Sequence, residues 1–442
     1  MPREFRRYEP DQSFLLPPSL RDWLPEDHLS FFISDAIDAM DLSAFEARYG
    51  DEGPGKQAFD PRMMLKVLVY AYATGTFSSR KIAAKLHEDV AYRVLGADNF
   101  PAHRTISDFR QRHLPEFREL FVQVVQTAQE VGLVKLGTVA VDGSKVKANA
   151  SKHKAMSYER MKAEEKRLRK EIRELMGRAR KTDAQEDKRY GKDRRGDELP
   201  AELARREARL RTIREARKRL EARQREEDRE SGREPGDQDR TGKPGKPFKR
   251  RFGEPEEKAQ ENFTDPDSRI MKRGSSGYEQ CYNVQIAVDE TERIIVATGV
   301  TESASDVQQL VPLLEQVEAT TGKRPDKALA DAGYRSESNL QALEDQGIEG
   351  FVALGRERDG TPKLTDPRRE ATCRMLRKMK TQRGQNHYRK RKYLAEPPFA
   401  WIKWVMGFDR FSLRGADKVS SEWSLACLAA NLKRMHGKLA WA

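Results

Sequence analysis

Residues 138–143 read Thr-Val-Ala-Val-Asp-Gly, a short β-type run that ends in a carboxylate and a glycine. The hydrophobic period changes here, from helical before it to strand-and-helix after it. Upstream, a turn-rich entry (Pro10, Pro17, Pro18, Pro25) leads to a helical pattern through Phe31, Phe32, Ile33, Ala36, Ile37 and Met40. A second block follows Pro61 with Met63, Met64, Leu65, Val67, Leu68, Tyr70 and Ala71, and Gly75 ends it. Ser78, ahead of Arg80 and Lys81, reads as the serine cap of a third helix. Arg104 opens a fourth, which runs on through Phe109, Phe117, Leu120 and Val124. The stretch to about residue 132 is therefore expected to be all-α with short connections. Tight turns with basic residues at a cap suggest a helix-turn-helix, and equally a small bundle with a solvated basic face.

Downstream, regular structure returns at Tyr278. Gln280–Asp289 and Arg293–Thr301 read as two strands joined by a tight turn, and Asp306–Ala319 as an amphipathic helix. Lys327–Asp331 is expected as a short strand, Glu337–Leu343 as a helix and Gly350–Leu354 as a further strand. A basic loop, a helix at about 399–406 entered by Pro397-Pro398, and a final helix at about 421–435 complete a mixed α/β layer. Between the two parts, residues 156–230 are dominated by Arg, Lys and Glu. Leu199, Leu203, Leu210, Ile213 and Leu220 keep heptad-like spacing, with a looser stripe at Met161, Leu168, Ile172 and Leu175 ahead of Gly191 and Gly196. This reads either as two charged helices, an inserted hairpin, or as one solvated charged segment; residues 232–255 are linker.

The chain carries 84 Lys and Arg against 71 Asp and Glu, a formal net charge of +13. Such an excess favours a polyanionic partner, because each phosphate contact releases condensed counterions. No apolar run is long enough to span a bilayer and the first residues lack a signal-type apolar stretch, so a cytoplasmic, nucleoid-associated protein with no membrane partner is expected. The three cysteines, 281, 373 and 427, lack the spacing of a zinc site and read as ordinary thiols.

Three acidic residues stand where chemistry would need them. Asp142 ends the first strand, Asp331 ends a later one, and Glu396 lies at the entry to the late helix. Strand ends of α/β sheets are where ligand sites form. Taken singly, each carboxylate has an ordinary reading as a cap or turn residue; together they suit Mg²⁺ or Mn²⁺. Two such ions about 4 Å apart can activate a nucleophile and stabilise the leaving oxygen of an in-line phosphoryl transfer.

Five stretches carry a family resemblance: AVDGSKVKANAS around Asp142, NFTDPDSRIM from Asn262, CYNVQIAVD from Cys281, ADAGYRSESN around Asp331, and RKYLAEPPFAWIKWVMGFDRFSLRG from Arg391. With the N-terminal KQAFDPRMMLKVLVYAYATGTFSSRKIAAKL, they resemble the bacterial insertion-sequence transposases of the Asp-Asp-Glu class, and cover most of the chain outside the charged insertion. The resemblance implies a helical DNA-binding domain at 1–132, a ribonuclease-H-like catalytic domain at 133–155 and 256–442, and a charged insertion and linker at 156–255. It implies Asp142, Asp331 and Glu396 as metal-binding catalytic residues with two Mg²⁺ or Mn²⁺ ions. Lys403 matches the family's Lys two helical turns beyond the Glu. Upstream, Lys392 stands at the family's Arg position and Tyr388 is about one residue out of register; Arg391 or Lys392 contacts phosphate on this reading. Tyr334 is either a stacking platform near the scissile strand or a core ring with a satisfied hydroxyl. Trp401 and Trp404 read as packing residues.

The implied function is binding of terminal inverted repeats, metal-dependent DNA cleavage and strand transfer, by a homodimer or larger assembly on element ends and target DNA. The rivals are a nuclease of the same fold without strand transfer and a catalytically silent DNA-binding repressor.

Overall fold

A computed structural model of the chain describes residues 19–49, 58–190, 201–236, 241–243, 246–247, 250–274, 277–355 and 369–439. The expected turns at Pro10, Pro17 and Pro18, the helix breaks at Gly191 and Gly196, and Leu199 lie outside them.

The N-terminal part is all-α: α1 (Leu29–Asp38), α2 (Ser43–Glu46), α3 (Pro61–Ala73), α4 (Ser79–Glu88), α5 (Val90–Gly96), α6 (His103–Arg112) and α7 (Leu114–Glu130). α3 starts where Asp60 accepts hydrogen bonds from the amides of Arg62 and Met63 ahead of a first-turn proline. It stops before Gly75, whose φ of +78° few other residues adopt. α4 does begin after Ser78, but the serine side chain makes no capping hydrogen bond. In α7, Phe117, Leu120, Phe121, Val124, Val125 and Ala128 repeat at helical spacing and are all buried.

The remaining elements are β1 (Thr138–Lys147), β2 (Ala155–Ser157), α8 (Tyr158–Tyr190), α9 (Ala201–Glu230), β3 (Thr241–Lys243), β4 (Lys246–Pro247), β5 (Gln260–Asn262), β6 (Arg269–Lys272), β7 (Tyr278–Asp289), β8 (Ile295–Thr301), α10 (Leu310–Thr321), β9 (Lys327–Ala330), α11 (Glu337–Asp345), β10 (Glu349–Val352), α12 (Glu370–Lys380), α13 (Gln382–Ala400) and α14 (Ala416–Leu439). A six-stranded sheet runs β10–β9–β1–β7, with β6 and β8 both paired to β7. β7 is antiparallel to β1, β6 and β8, whereas β9 is parallel to β1 and β10. β1 is thus the seam between an antiparallel and a parallel half.

Alternation along β1 assigns its two faces. Ala140 packs with Leu329 of β9, Phe351 of β10 and Leu394 and Ala395 of α13 in a small core of their own. Val139 and Val141 face the other way, into the main core. That core is continuous from the N-terminal helices through α14, which is buried along nearly its whole length from Val419 to Met435, to the back of the sheet.

The late segment differs from expectation. Where a basic loop was predicted, α12 and α13 form, and Pro397 and Pro398 lie inside α13 rather than at a helix entry. Each proline removes an amide donor from the helix ladder. The helix then widens into a π turn at Trp401–Val405, closed by Met406 N–H to the Trp401 carbonyl at 2.9 Å.

The charged insertion folds as two helices. Met161, Leu168 and Ile172 of α8 meet Leu203, Leu210, Ile213 and Leu220 of α9 in a separate apolar core. Inside it, Glu165 is buried and paired with Arg169, Arg214 (3.0 Å) and Arg217 (2.6 Å). β2 pairs with β5, Ser157 opposite Gln260, so the pair's two ends enter and leave the hairpin side by side.

Candidate active site

The parallel register sets Ala140 beside Leu329; Asp142 lies two residues further along β1 and Asp331 one residue past the end of β9, so the two carboxylates stand at the same end of neighbouring parallel strands. Asp142 shares the face of Ala140, and so lies beneath α13. Arg391 of that helix stands over it, Nη1 3.5 Å from Asp142 Oδ2. Burial pushes the Asp142 carboxyl up to about 6; Arg391 opposes this, while the negative charges of Asp331 and Asp306 add to it. Asp331 closes its own turn by accepting from Gly333 N–H at 2.7 Å.

The sequence-predicted residues divide. Asp142, Asp331 and Arg391 are brought together. Lys403 approaches along β1: its ammonium donates to the Ser144 hydroxyl and, at 2.9 Å, to the Lys145 carbonyl. Burial, with Arg273 nearby, lowers the Lys403 pKa to about 8. Glu396 lies one and a half turns beyond Arg391 on α13, exposed, with no hydrogen bond or ion pair among the described residues. Among the described residues, no three His, Cys, Asp or Glu side chains are grouped closely enough to hold a metal ion. Lys392 is exposed on α13.

Of the two alternatives Arg391 and Lys392, it is Arg391 that faces Asp142, and the Tyr388 ring lies 5.8 Å from the Arg391 guanidinium. The Tyr–Arg pair keeps its own spacing of three, one face of a helix, and sits one residue earlier than the family pattern measured from Glu396. Tyr334 is fully buried and donates its hydroxyl to Gln285 Oε1, which makes it a core residue of the site and not a stacking surface. Conversely Trp404, expected to pack, is 83% exposed, and Trp401 lies 5.3 Å from the Lys433 ammonium. Arg80, Lys81 and Arg104 are all exposed, on the first turns of α4 and α6, two helices that pack on each other.

Sequence reasoning missed Asn283, Gln285 and Asp306. Asn283 and Gln285 are fully buried on β7, and both donate to Asp306 Oδ1, at 2.6 and 2.8 Å. Polar residues at alternate positions of an otherwise apolar strand were the available signal. Nothing local marks Asp306. Burial raises the Tyr334 pKa, and the negative charges of Asp306, Asp142 and Asp331 add to it.

The donor set suits a hard divalent cation. Asp142 is half-buried beside like charges that Arg391 offsets, and carboxylate oxygens are the ligands Mg²⁺ and Mn²⁺ take. Arg391 Nε is buried without a hydrogen-bond partner among the described residues, a donor left for an anionic oxygen.

Two family profiles and a curated protein match parts of the chain. A family profile described as a transposase DDE domain matches residues 245–432, a span that holds Asp331, Glu396 and Lys403 but begins after Asp142. A second, described as a transposase domain, matches residues 18–112, the helical part. A curated protein of Burkholderia cepacia, described as a transposase for insertion sequence element IS402, is 37% identical over 65 residues, 13% of this chain and 31% of that protein. The chain thus matches about a third of the length of that relative. No solved structure matches.

Proposed function

From a chain that belongs to the insertion-sequence transposases of the Asp-Asp-Glu class, matched in order by the two domain profiles of such enzymes, we propose an enzyme that cuts the ends of a mobile element and joins them to target DNA. The observation that carries this reading is the placement of Asp142 on β1 and Asp331 just past the end of the adjacent parallel strand β9, beneath the helix that bears Arg391 and Glu396.

The strand order and senses, with the antiparallel half β8–β7–β1 and the parallel half β1–β9–β10, support a ribonuclease-H-like arrangement for 133–155 and 256–442. Asp142, Asp331 and Glu396 would hold Mg²⁺ or Mn²⁺, with two ions per site. Bound there, the ions would supply a water of lowered pKa and charge stabilisation for in-line displacement. Arg391 holds Asp142 and offers its free Nε to a phosphate oxygen; Lys403 places a cation two residues past Asp142 on the same strand. Glu396 completes the set when DNA or cation draws α13 inward, a shift of the last turns that prolines and a π turn already loosen.

Residues 1–132 would bind the terminal repeats through Arg80, Lys81 and Arg104, and Lys392 would add a phosphate contact from α13. Two ends must be cut together, so the working form is at least a dimer on DNA. No helix among the described residues is long and apolar enough to cross a membrane; action on nucleoid DNA follows from the substrate.

A joining assay tests the proposal. Supercoiled target plasmid, a duplex carrying an element end, and Mn²⁺ are incubated with the protein. Covalent end–plasmid products are expected. Cleaved ends with no joined product would mean a nuclease, and end binding with no cleavage a repressor.

A further inference from the structure

Asp306 lies on the loop between β8 and α10, ahead of the helix that begins at Leu310. Its Oδ1 accepts from Asn283 Nδ2 at 2.6 Å and Gln285 Nε2 at 2.8 Å, and Lys145 Nζ is 3.6 Å away. Gln285 in turn accepts from the Tyr334 hydroxyl, three residues after Asp331. Two glycines make room for this carboxylate. A Cβ at Gly143, next to Asp142, would stand 2.7 Å from Asp306 Oδ1 and 2.5 Å from Gln285 Nε2. A Cβ at Gly333, two residues after Asp331, would stand 3.1 Å from Asp306 Oδ2.

We propose that Asp306 is a positioning residue for the Asp142–Asp331 pair, wedged between the Gly143 and Gly333 backbones and pinned there by Asn283 and Gln285. The inference rests on the reading of that pair as the metal-holding centre. One carboxylate meets the chain just after Asp142 on β1, the middle of β7 and the turn after β9, so it sets how far apart Asp142 and Asp331 stand. With Oδ1 held by two amides, it cannot turn freely, and the Gln285 amide is oriented from both ends. Residues that orient a ligand set in this way typically change metal affinity by about 10–100-fold when lost.

The test uses the full-length protein without DNA. The readout is the Mn²⁺ concentration that half-saturates its metal-dependent thermal shift, alongside Tm without metal. Asp306→Ala is expected to raise that concentration by about tenfold or more. Asp306→Asn keeps the Oδ1 acceptor, and is expected to stay within about threefold of the unaltered protein. An unchanged midpoint in Asp306→Ala overturns the inference. So does an equal loss in Asp306→Asn, which would mean that charge and not hydrogen-bonded placement matters. If Asp306→Ala does not fold, Asp306→Asn decides alone: a native Tm with a midpoint raised tenfold overturns the proposal, and a native midpoint supports it. If the unaltered protein shows no Mn²⁺ response, the metal reading of the pair fails first, and this inference with it.

Discussion

Asp142 is a carboxylate under strain from its surroundings: mainly burial, then neighbouring negative charge, push it up to about 6, against 3.8 for a free side chain. The folded metal-free protein therefore binds more protons here than the unfolded chain between about pH 4 and 6. Its stability falls as pH rises through that window and levels off above it. A rise of that size corresponds to roughly 2–3 kcal/mol. Asp142→Asn removes the titration, so it is expected to melt higher than the parent protein at pH 7.5 and about level with it at pH 4, in buffers without divalent metal. A lower Tm at pH 7.5 would show that the carboxylate is not held against its own charge. Cleavage, in turn, should rise with pH through about 6, with a midpoint that moves down as Mn²⁺ is raised, because metal competes with the proton. Asp142 and Asp331 were readable in the sequence because each follows an apolar strand run. Asp306 was not, because its neighbours come from β7, from β1 and from the turn after β9, a convergence that only the folded sheet produces.

The inserted hairpin is the element with the most distinct design. α8 and α9 are knit by a leucine seam and by Glu165, and α9 is tied to the body through Glu261, which is fully buried and paired with Arg219 (2.6 Å) and Arg223. Because Ser157 and Gln260 are cross-strand neighbours, a short turn can replace residues 158–259. The excision strands Glu261 without its arginines, and an unpaired buried carboxylate is costly, so Glu261→Gln accompanies it. The shortened protein is expected to fold, keep its Mn²⁺ thermal shift and nick single ends, but to fail in joining two ends. Normal two-end joining would make the hairpin a dispensable solvated arm. The helical seam was legible from its heptad spacing, whereas its pairing was not, since a charged stripe alone fits a solvated segment equally well. α13 was misread for a related reason. Pro397-Pro398 ordinarily marks a helix boundary, and here packing of Leu394, Ala395 and Phe399 carries the helix through it.

At the scale of the molecule, the helical part and the sheet share one core rather than sitting as beads. Arg110 of α6 donates to the Tyr72 hydroxyl at 3.2 Å and to the Phe77 carbonyl at 2.9 Å; Tyr72 donates to Glu422 of α14 at 3.0 Å. Glu422 is fully buried, and also accepts from Ser412 and Leu413 N–H. Arg110→Met removes the cation from this buried chain, and a loss of about 3 kcal/mol is expected. It should appear as one denaturation transition, seen together by probes in α3 and in the sheet. Separate transitions, with the sheet unaffected, would contradict the shared core. Sequence patterning separated an all-α part from an α/β part, but could not show that α14, the last helix, is the surface they both pack on.

The central claim, that Asp142, Asp331 and Glu396 act as one metal-holding set on DNA, is tested most directly by cleavage and binding measured side by side. Asp142→Asn, Asp331→Asn and Glu396→Gln proteins are assayed on the same labelled element end with Mg²⁺ or Mn²⁺. Each is expected to lose cleavage by at least about a thousandfold while its affinity for the end stays within a few-fold, because metal ligands and not phosphate-contacting cations are removed. Substantial metal-dependent cleavage by any one of the three would contradict the assignment, and by Glu396→Gln would leave Asp142 and Asp331 to act without the helix that covers them.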